Sequence, residues 1–473
     1  MIRPRREFLK TAAATAPAAT LPAHALKRFH IAINEVLTRK GSLVMTTSNV
    51  RPLRPMQWRF LARRLGFASM SGCALAATSL VAAGAGAAGA PQVMHARSAL
   101  PEDTFTPVVV QPLGTRHVAV PGTDGLVHVV YELELANTKP AAATLQRIDV
   151  LDADHPSRVL ASYAGSSLLA SLRTLKPTPA DSAVIPFGAN RLFYVELAIK
   201  PDAVPRAVTQ RFRLLGAANP GSTTPATPLE YVAGRIDVAR APLPVLAPPL
   251  RGSGWVAING CCNSGIVHRG SFQGVNGSLH DAQRFAIDWM RVNAKGELVQ
   301  GDPADVHHYI DYGAKVYAVA DGTVVDVLND LPDQPPGKLP DPTKITLRTV
   351  DGNHVTIDMG HGLYVFYAHL GKGTVRVHRG DRVKAGDAIG ELGNSGNTSA
   401  PHLHIHVMDS PSALASDGLP YVIDRFELAG QIDVQAFDKS DVLTGRWGKR
   451  LAKPIAETDR FPLNLNIVDF PAR

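Results

Sequence analysis

Between residues 101 and 215 the chain alternates apolar and polar positions in short runs. The clearest are LVHVVYELELAN (Leu126 to Asn137), TLQRIDVLDAD (Thr144 to Asp154), RLFYVELAIK (Arg191 to Lys200) and AVTQRFRLLG (Ala207 to Gly216). Alternation with period two is the signature of a half-buried strand. Turn residues separate the runs. Several such strands within one domain length predict a β-sandwich of immunoglobulin type over 101–215. No catalytic constellation appears there, so the module reads as structural or targeting.

Residues 216–254 carry ANPGSTTPATP and APLPVLAPPLRGSG, which predict a Pro/Gly-rich linker. The stretch LEYVAGRIDVA between them has the pattern of one further strand. From Trp255 onward His, Gly and Asp become dense. AKVYAVADGTVVDVL reads as strand, Asp321-Gly322 turn and strand, a hairpin cue. HVTIDMG, YVFYAHL and TVRVHRGDRVKAGDAIGELG continue as strands with tight glycine turns. Helical periodicity is scarce, so the whole chain is expected to be all-β, with residues 255–473 as its second domain and C-terminal extension. Within it, PHLHIHV sets His402, His404 and His406 at alternate positions, on one face of a strand, with Leu403, Ile405 and Val407 on the other.

Charge alters the picture at the N-terminus. The chain of 473 residues has a formal charge of +8. Residues 1–100 hold 14 Lys/Arg against 2 Asp/Glu, and the remainder holds 35 against 39. The basic excess belongs to the leader, and the body offers no electrostatic footprint for nucleic acid. Arg63-Arg64 precede a long run of small and apolar residues ending at Ala88-Gly89-Ala90, the layout of a cleavable export signal. RPRREFLK (Arg3 to Lys10) resembles a twin-arginine signal. Residues 1–100 are therefore expected to be an export leader, removed or unordered in the mature protein, and the membrane is met only through it. The expected location is the periplasm or cell envelope, or the medium. Beyond Cys73 only Cys261 and Cys262 remain. Bridging of neighbours is rare, so two separate thiols are expected.

The candidate chemistry lies in Asp288, His369, His402 and His404. Hydrolytic zinc takes three protein ligands and leaves one position open, and a carboxylate with two imidazoles meets that need. YAHL (Tyr367 to Leu370) and VKAGDAIGELGNSGNTSAPHLHIHV (Val383 to Val407) resemble the lysostaphin/LytM-type zinc metallopeptidases, and KVYAVADGTV (Lys315 to Val324) echoes a further segment of that family. The resemblance covers about residues 255–410. It implies a lysostaphin-like coiled antiparallel β-sheet domain and an exported Zn2+-dependent endopeptidase that cuts peptidoglycan peptides. By position it makes Asp288 and His404 metal ligands, and His369 and His402 metal-free catalytic histidines. GDRVKAGDAIGELG also resembles the biotinyl or lipoyl carrier hammerhead. Those domains need a lysine at a hairpin tip, and none stands at Asp321-Gly322.

One departure matters. The family's H-x-x-x-D segment has a histidine four residues before the aspartate, where RFAID places Arg284. A guanidinium has no lone pair to offer zinc. Two upstream histidines are candidates: His268 in IVHRGS, which is preferred, and His280 in SLHDAQRFAID. If neither approaches Asp288, the rival reading is a degenerate domain that binds wall or regulates another hydrolase. His406 is expected near the groove or beside a ligand and not as a ligand itself, and Tyr367 either offers a hydroxyl or packs in the core. His307 and His308 fall in an inserted loop, and His354, His361 and His378 are expected to face solvent near turns or strand ends.

Overall fold

The computed structural model describes Asp103 and residues 105–472, apart from residues 115, 176–177, 218, 220, 225–227, 240 and 440–448. The expected leader, residues 1–100, lies outside the described residues. The described chain is almost entirely β. Its two α-helices, Gly165–Ala170 and Val434–Lys439, have six residues each. No helix among the described residues is long and apolar enough to cross a membrane.

Two five-stranded sheets form the N-terminal region. One runs Val108–Leu113, Val127–Asn137, Asn190–Ile199, Leu172–Arg173, and the other runs Pro228–Asp237, Ala207–Leu215, Ala143–Asp152, Val159–Ala164. The observed strands follow the alternating runs to within about two residues, as the usual precision of such boundaries allows. Inward residues of both sheets, among them Tyr131, Leu133, Phe193, Ile148 and Phe212, share one buried cluster. LEYVAGRIDVA contributes the strand Pro228–Asp237, which pairs with Ala207–Leu215 inside the span expected as linker.

The second region is a twelve-stranded sheet. Its central order is Gly252–Ile258, Ile287–Arg291, Leu403–Met408, Leu363–Leu370, Asn353–Gly360, Gly322–Leu328. The C-terminal strands Val422–Gln431, Lys449–Arg460 and Asn466–Phe470 join the same sheet on the far side of Gly252–Ile258. Ile287, Trp289, Tyr367, Leu403, Ile405 and Val407 fill the core on one face. Phe105–Ala472 falls within one compact unit.

Three expectations are corrected here. AKVYAVADGTVVDVL is not a hairpin: Lys315–Tyr317 pairs with Ala388–Glu391, whereas Gly322–Leu328 pairs with Asn353–Gly360. Asp321 instead accepts the Ala385 N–H, and a side chain at Gly322 would meet the Asp358 carbonyl, so this turn hands the chain from one sheet to another. Cys261 and Cys262 are joined to each other as a disulfide, both buried, in the connection after Gly252–Ile258. His354 is buried and not a solvent-facing residue at a turn. Its Nδ1 lies 2.8 Å from the Gly352 carbonyl and its Nε2 3.2 Å from Asp326, a carboxylate on the neighbouring strand that the local sequence does not announce.

Candidate metal centre

Strand register builds the first half of the site. Asp288 on Ile287–Arg291 pairs directly with His404 on Leu403–Met408, and His404 pairs on its other side with Ala368. Directly opposed residues share a face, so the small Ala368 leaves room beside two polar groups. His404 Nδ1 stands 2.9 Å from Asp288 Oδ1. On the same face His406 Nδ1 stands 2.9 Å from His404 Nε2. His406 is buried behind His404 and does not line a groove.

His268 arrives from outside the sheet, in the single 3-10 turn His268–Gly270. Its Nε2 is 3.2 Å from Asp288 Oδ2. Its Nδ1 lies 3.0 Å from both the Asn259 and Ala286 carbonyls, which fixes the ring with Nε2 toward the carboxylate. The Asn259 amide donates to Asp288 Oδ2 at 2.8 Å. Asn259 has φ +56°, a left-handed backbone that asparagine tolerates better than most residues. His268, Asp288 and His404 are all buried, and their candidate ligand atoms lie within 4.8 Å of one another.

His280 is elsewhere, in the short hairpin Gln273–Val275 with Ser278–His280, and it is not a member of the cluster. Arg284 also points away. Its Nε donates to Glu132 of the N-terminal region at 2.8 Å. Tyr367 is fully buried, and its hydroxyl accepts the Val319 N–H, so it packs and caps backbone instead of facing the site. His307 packs edge-on against Tyr312, and His308 Nδ1 accepts the Asp302 N–H.

His369 and His402 complete the cluster, with ring centroids 4.6 Å apart. His369 Nδ1 lies 2.8 Å from the Ser395 carbonyl, and His402 Nδ1 lies 2.8 Å from the Ala400 carbonyl. Both rings thus have Nδ1 committed to backbone and Nε2 available. His402 Nε2 is 3.4 Å from Asp288 Oδ1. His369 has φ +61°, an uncommon conformation for a non-glycine residue and one that interrupts the strand's alternation at that point. The GNSGN segment holds its partner in place. A side chain at Gly352 would meet the Ser395 carbonyl, and one at Gly396 would meet the Gly352 backbone, so two glycines let these backbones touch.

The site gathers imidazoles of differing basicity around one anion. Burial alone would raise the Asp288 carboxyl, but His268 and His402 outweigh it and hold it well below the usual carboxylate range. Burial lowers His404 to about 4 and holds His369 and His406 well below the ordinary imidazole value. Burial would lower His402 too, yet the Asp288 charge raises it. Metal ligands must be deprotonated, and the lowered His404 meets that condition. Asp311, which no motif in the sequence announces, is buried nearby and pushed up to about 8 by that burial. The donor set therefore fits zinc: two imidazole nitrogens and a carboxylate, with the second nitrogen of each histidine ligand already hydrogen-bonded. A second group among the described residues, His128, Glu196 and Cys262, is less apt, because Cys262 sulfur is bonded to Cys261.

Residues 306–415 match the family described as Peptidase family M23, a span that contains His369, His402 and His404. A 125-residue stretch is 30% identical to the glycyl-glycine endopeptidase ALE-1 of Staphylococcus capitis, covering 26% of this chain and 29% of that protein's length. Among solved structures, the chain is similar to the catalytic domain of lysostaphin from Staphylococcus simulans (21% identity, 36% of this chain and 88% of that one, TM-score 0.19). It is similar also to the catalytic domain of the prophage-encoded M23 protein EnpA from Enterococcus faecalis (21% identity, 34% and 82%, TM-score 0.18). The YAHL and PHLH segments and the match over 306–415 agree: this stretch of the chain carries the pattern of peptidase family M23.

Proposed function

We propose that the chain is an exported zinc endopeptidase that hydrolyses peptide amide bonds of bacterial peptidoglycan. The observation that carries this reading is the approach of His268, Asp288 and His404, with candidate ligand atoms within 4.8 Å of one another. These three residues would hold the metal. When bound, zinc supplies a Lewis acid that polarises the scissile carbonyl and acidifies water. The chain's own residues do the rest. With Nε2–H donating to His406, His404 turns its Nδ1 lone pair toward Asp288. His268 does the same through Nε2, its Nδ1–H being committed to backbone carbonyls.

His369 and His402 are the acid–base pair. Each gives its Nδ1–H to a carbonyl, which leaves Nε2 to exchange protons with substrate and water. One takes the proton from the attacking water. The other, protonated, donates to the developing oxyanion. As the C–N bond breaks, the abstracted proton passes to the leaving amine. The similarity to a protein named a glycyl-glycine endopeptidase supports an amide as the bond broken.

Arg284 in place of the family's first histidine is the observation that favours the rival, a degenerate wall-binding or regulatory domain. His268 beside Asp288 supports the enzyme, since it offers the imidazole that Arg284 does not. We take the N-terminal two-sheet region as an immunoglobulin-like sandwich, and residues 1–100 as the leader that directs export. The test is to incubate the purified protein with peptidoglycan and count new amino termini, with and without a chelator, beside His404→Ala. Release by the parent that chelation and His404→Ala both abolish is expected. Zinc-loaded parent protein that releases none would overturn the enzyme in favour of its rival.

A further inference from the structure

We infer that Glu132, a residue of the N-terminal two-sheet region, is a positioning residue for the metal centre; the inference rests on the metal reading of His268, Asp288 and His404. In an H-x-x-x-D segment two ligands lie within one short stretch, and the local backbone fixes their spacing. Here His268 and Asp288 are 20 residues apart. The only strands in the connection between Gly252–Ile258 and Ile287–Arg291 are the hairpin Gln273–Val275 with Ser278–His280, which does not join the main sheet. The Asn259 and Ala286 carbonyls hold the His268 ring, but no strand of the main sheet holds the turn that carries it.

Glu132 supplies that hold. It sits on Val127–Asn137, opposite Tyr194, and is fully buried. Its Oε1 accepts from Arg269 Nε at 2.8 Å, and its Oε2 accepts from Arg284 Nε at 2.8 Å. Arg269 is the residue after His268, and Arg284 lies four residues before Asp288. One carboxylate therefore ties both arms of the connection together, one residue after His268 and four residues before Asp288. Arg269 is itself almost wholly buried and spends its remaining donors on three carbonyls: Cys262 at 2.6 Å, Tyr131 at 3.1 Å and Val195 at 2.7 Å. Two of these belong to the N-terminal region, and the third belongs to the connection itself. The Ser271 hydroxyl, 2.7 Å from the His268 carbonyl and 2.8 Å from Asp281 Oδ1, ties the same turn to the Arg284 arm.

The arrangement reads as a replacement. Arg284 stands where the family's first histidine would stand, and it has become half of the clamp that positions the histidine used instead. Two fork-shaped guanidiniums fix direction as well as distance, which a lysine pair would not. Groups hydrogen-bonded directly to a ligand typically change metal affinity by about 10–100-fold when lost; Glu132 acts one residue further out, through Arg269, which places its effect at the lower end of that range.

The test uses the full chain. Zinc affinity is measured by competition with a chromophoric chelator, and the Co2+-loaded protein gives an absorption spectrum of the ligand field. Glu132→Gln keeps the shape and removes the charge. It is expected to weaken zinc binding at least about ten-fold and to alter the Co2+ spectrum, while circular dichroism shows folded protein. Asp149→Asn is the control. Asp149 is buried in the same region and bound by Arg147 and Arg211, but it touches nothing in the connection. It should lower thermal stability and leave the zinc affinity unchanged. If Glu132→Gln does not accumulate folded, Arg269→Lys carries the test, with a loss of the same sign. Unchanged affinity and spectrum in folded Glu132→Gln or Arg269→Lys, with a zinc-binding parent, overturns this inference alone. A parent that binds no zinc overturns it together with the reading beneath it.

Discussion

His404 and Asp288 are direct partners across two antiparallel strands, Nδ1 to Oδ1 at 2.9 Å, in the middle of the sheet. Two of the three candidate ligands are thus placed by register, which the sheet keeps whether or not a metal is present. Metal binding to such a preformed site stabilises the folded state by mass action, about 4 kcal/mol at a thousand-fold excess over the dissociation constant. Zinc should therefore raise the melting temperature of chelator-treated protein by several degrees. In His404→Ala the rise should vanish while the fold persists. Differential scanning calorimetry with and without zinc checks both.

The two upstream histidines separate cleanly. His268 Nε2 lies 3.2 Å from Asp288, whereas His280 sits in a hairpin away from it. His268→Ala should reduce bound zinc from about one per chain to a small fraction. His280→Ala should retain it. Metal content by mass spectrometry after dialysis decides, and equal retention in both variants would remove His268 from the ligand set.

Much of this was legible because it is local. Alternate histidines on a strand, glycines at a tight turn and apolar residues on the opposite face are all patterns within ten residues, and PHLHIHV shows them directly. The strands of residues 126–216 were legible for the same reason. Asn259 and Glu132 were not. Asn259 meets Asp288 from 29 residues away, and Glu132 meets Arg269 and Arg284 from 137 and 152 residues away, so no spacing in the sequence joins them. Asp321-Gly322 misled because a turn dipeptide fixes the local bend and not the partner of the strand that follows. The burial of His406 and of His354 is not legible locally, because it depends on neighbours across the sheet: Phe366 for the one, Asp326 for the other.

His369 and His402 approach each other but are not in the three-residue ligand cluster. Removing either should leave zinc bound and slow the chemical step. General acid–base groups contribute about 10²–10⁴-fold, so His369→Ala and His402→Ala should lose kcat in that range with KM little changed. Zinc stoichiometry measured on the same preparations distinguishes a lost proton carrier from a lost ligand.

Restoring a histidine at position 284 should not improve the metal site. The Arg284 side chain is buried and directed at Glu132, away from Asp288. Arg284→His leaves that buried carboxylate with one guanidinium instead of two. Breaking a buried pair in this way costs about 3 kcal/mol. Urea unfolding should show that loss, and the chelator competition should show no gain in zinc affinity.

The N-terminal region makes its own pH-dependent contribution through Asp149. Its carboxylate is buried and accepts from Arg147 Nε at 2.6 Å, the Ser162 hydroxyl at 2.7 Å and Arg211 at 2.9 Å. Burial alone would raise its pKa, but the Ser162 and arginine hydrogen bonds lower it to about 2. In the unfolded chain an aspartate titrates near 4. Folding therefore favours the ionised form, and this stabilisation is fully present above about pH 4. It is lost as pH falls from 4 through 2, where the folded carboxyl also takes a proton. A shift of this size corresponds to about 2 kcal/mol. Asp149→Asn should therefore be less stable than the parent at pH 7 by about that amount, and the gap should close as the pH approaches 2. Chemical denaturation of the two proteins at pH 7, 4 and 2.5 measures the gap, and a difference that stays constant across that range would assign the loss to packing and not to the carboxylate charge.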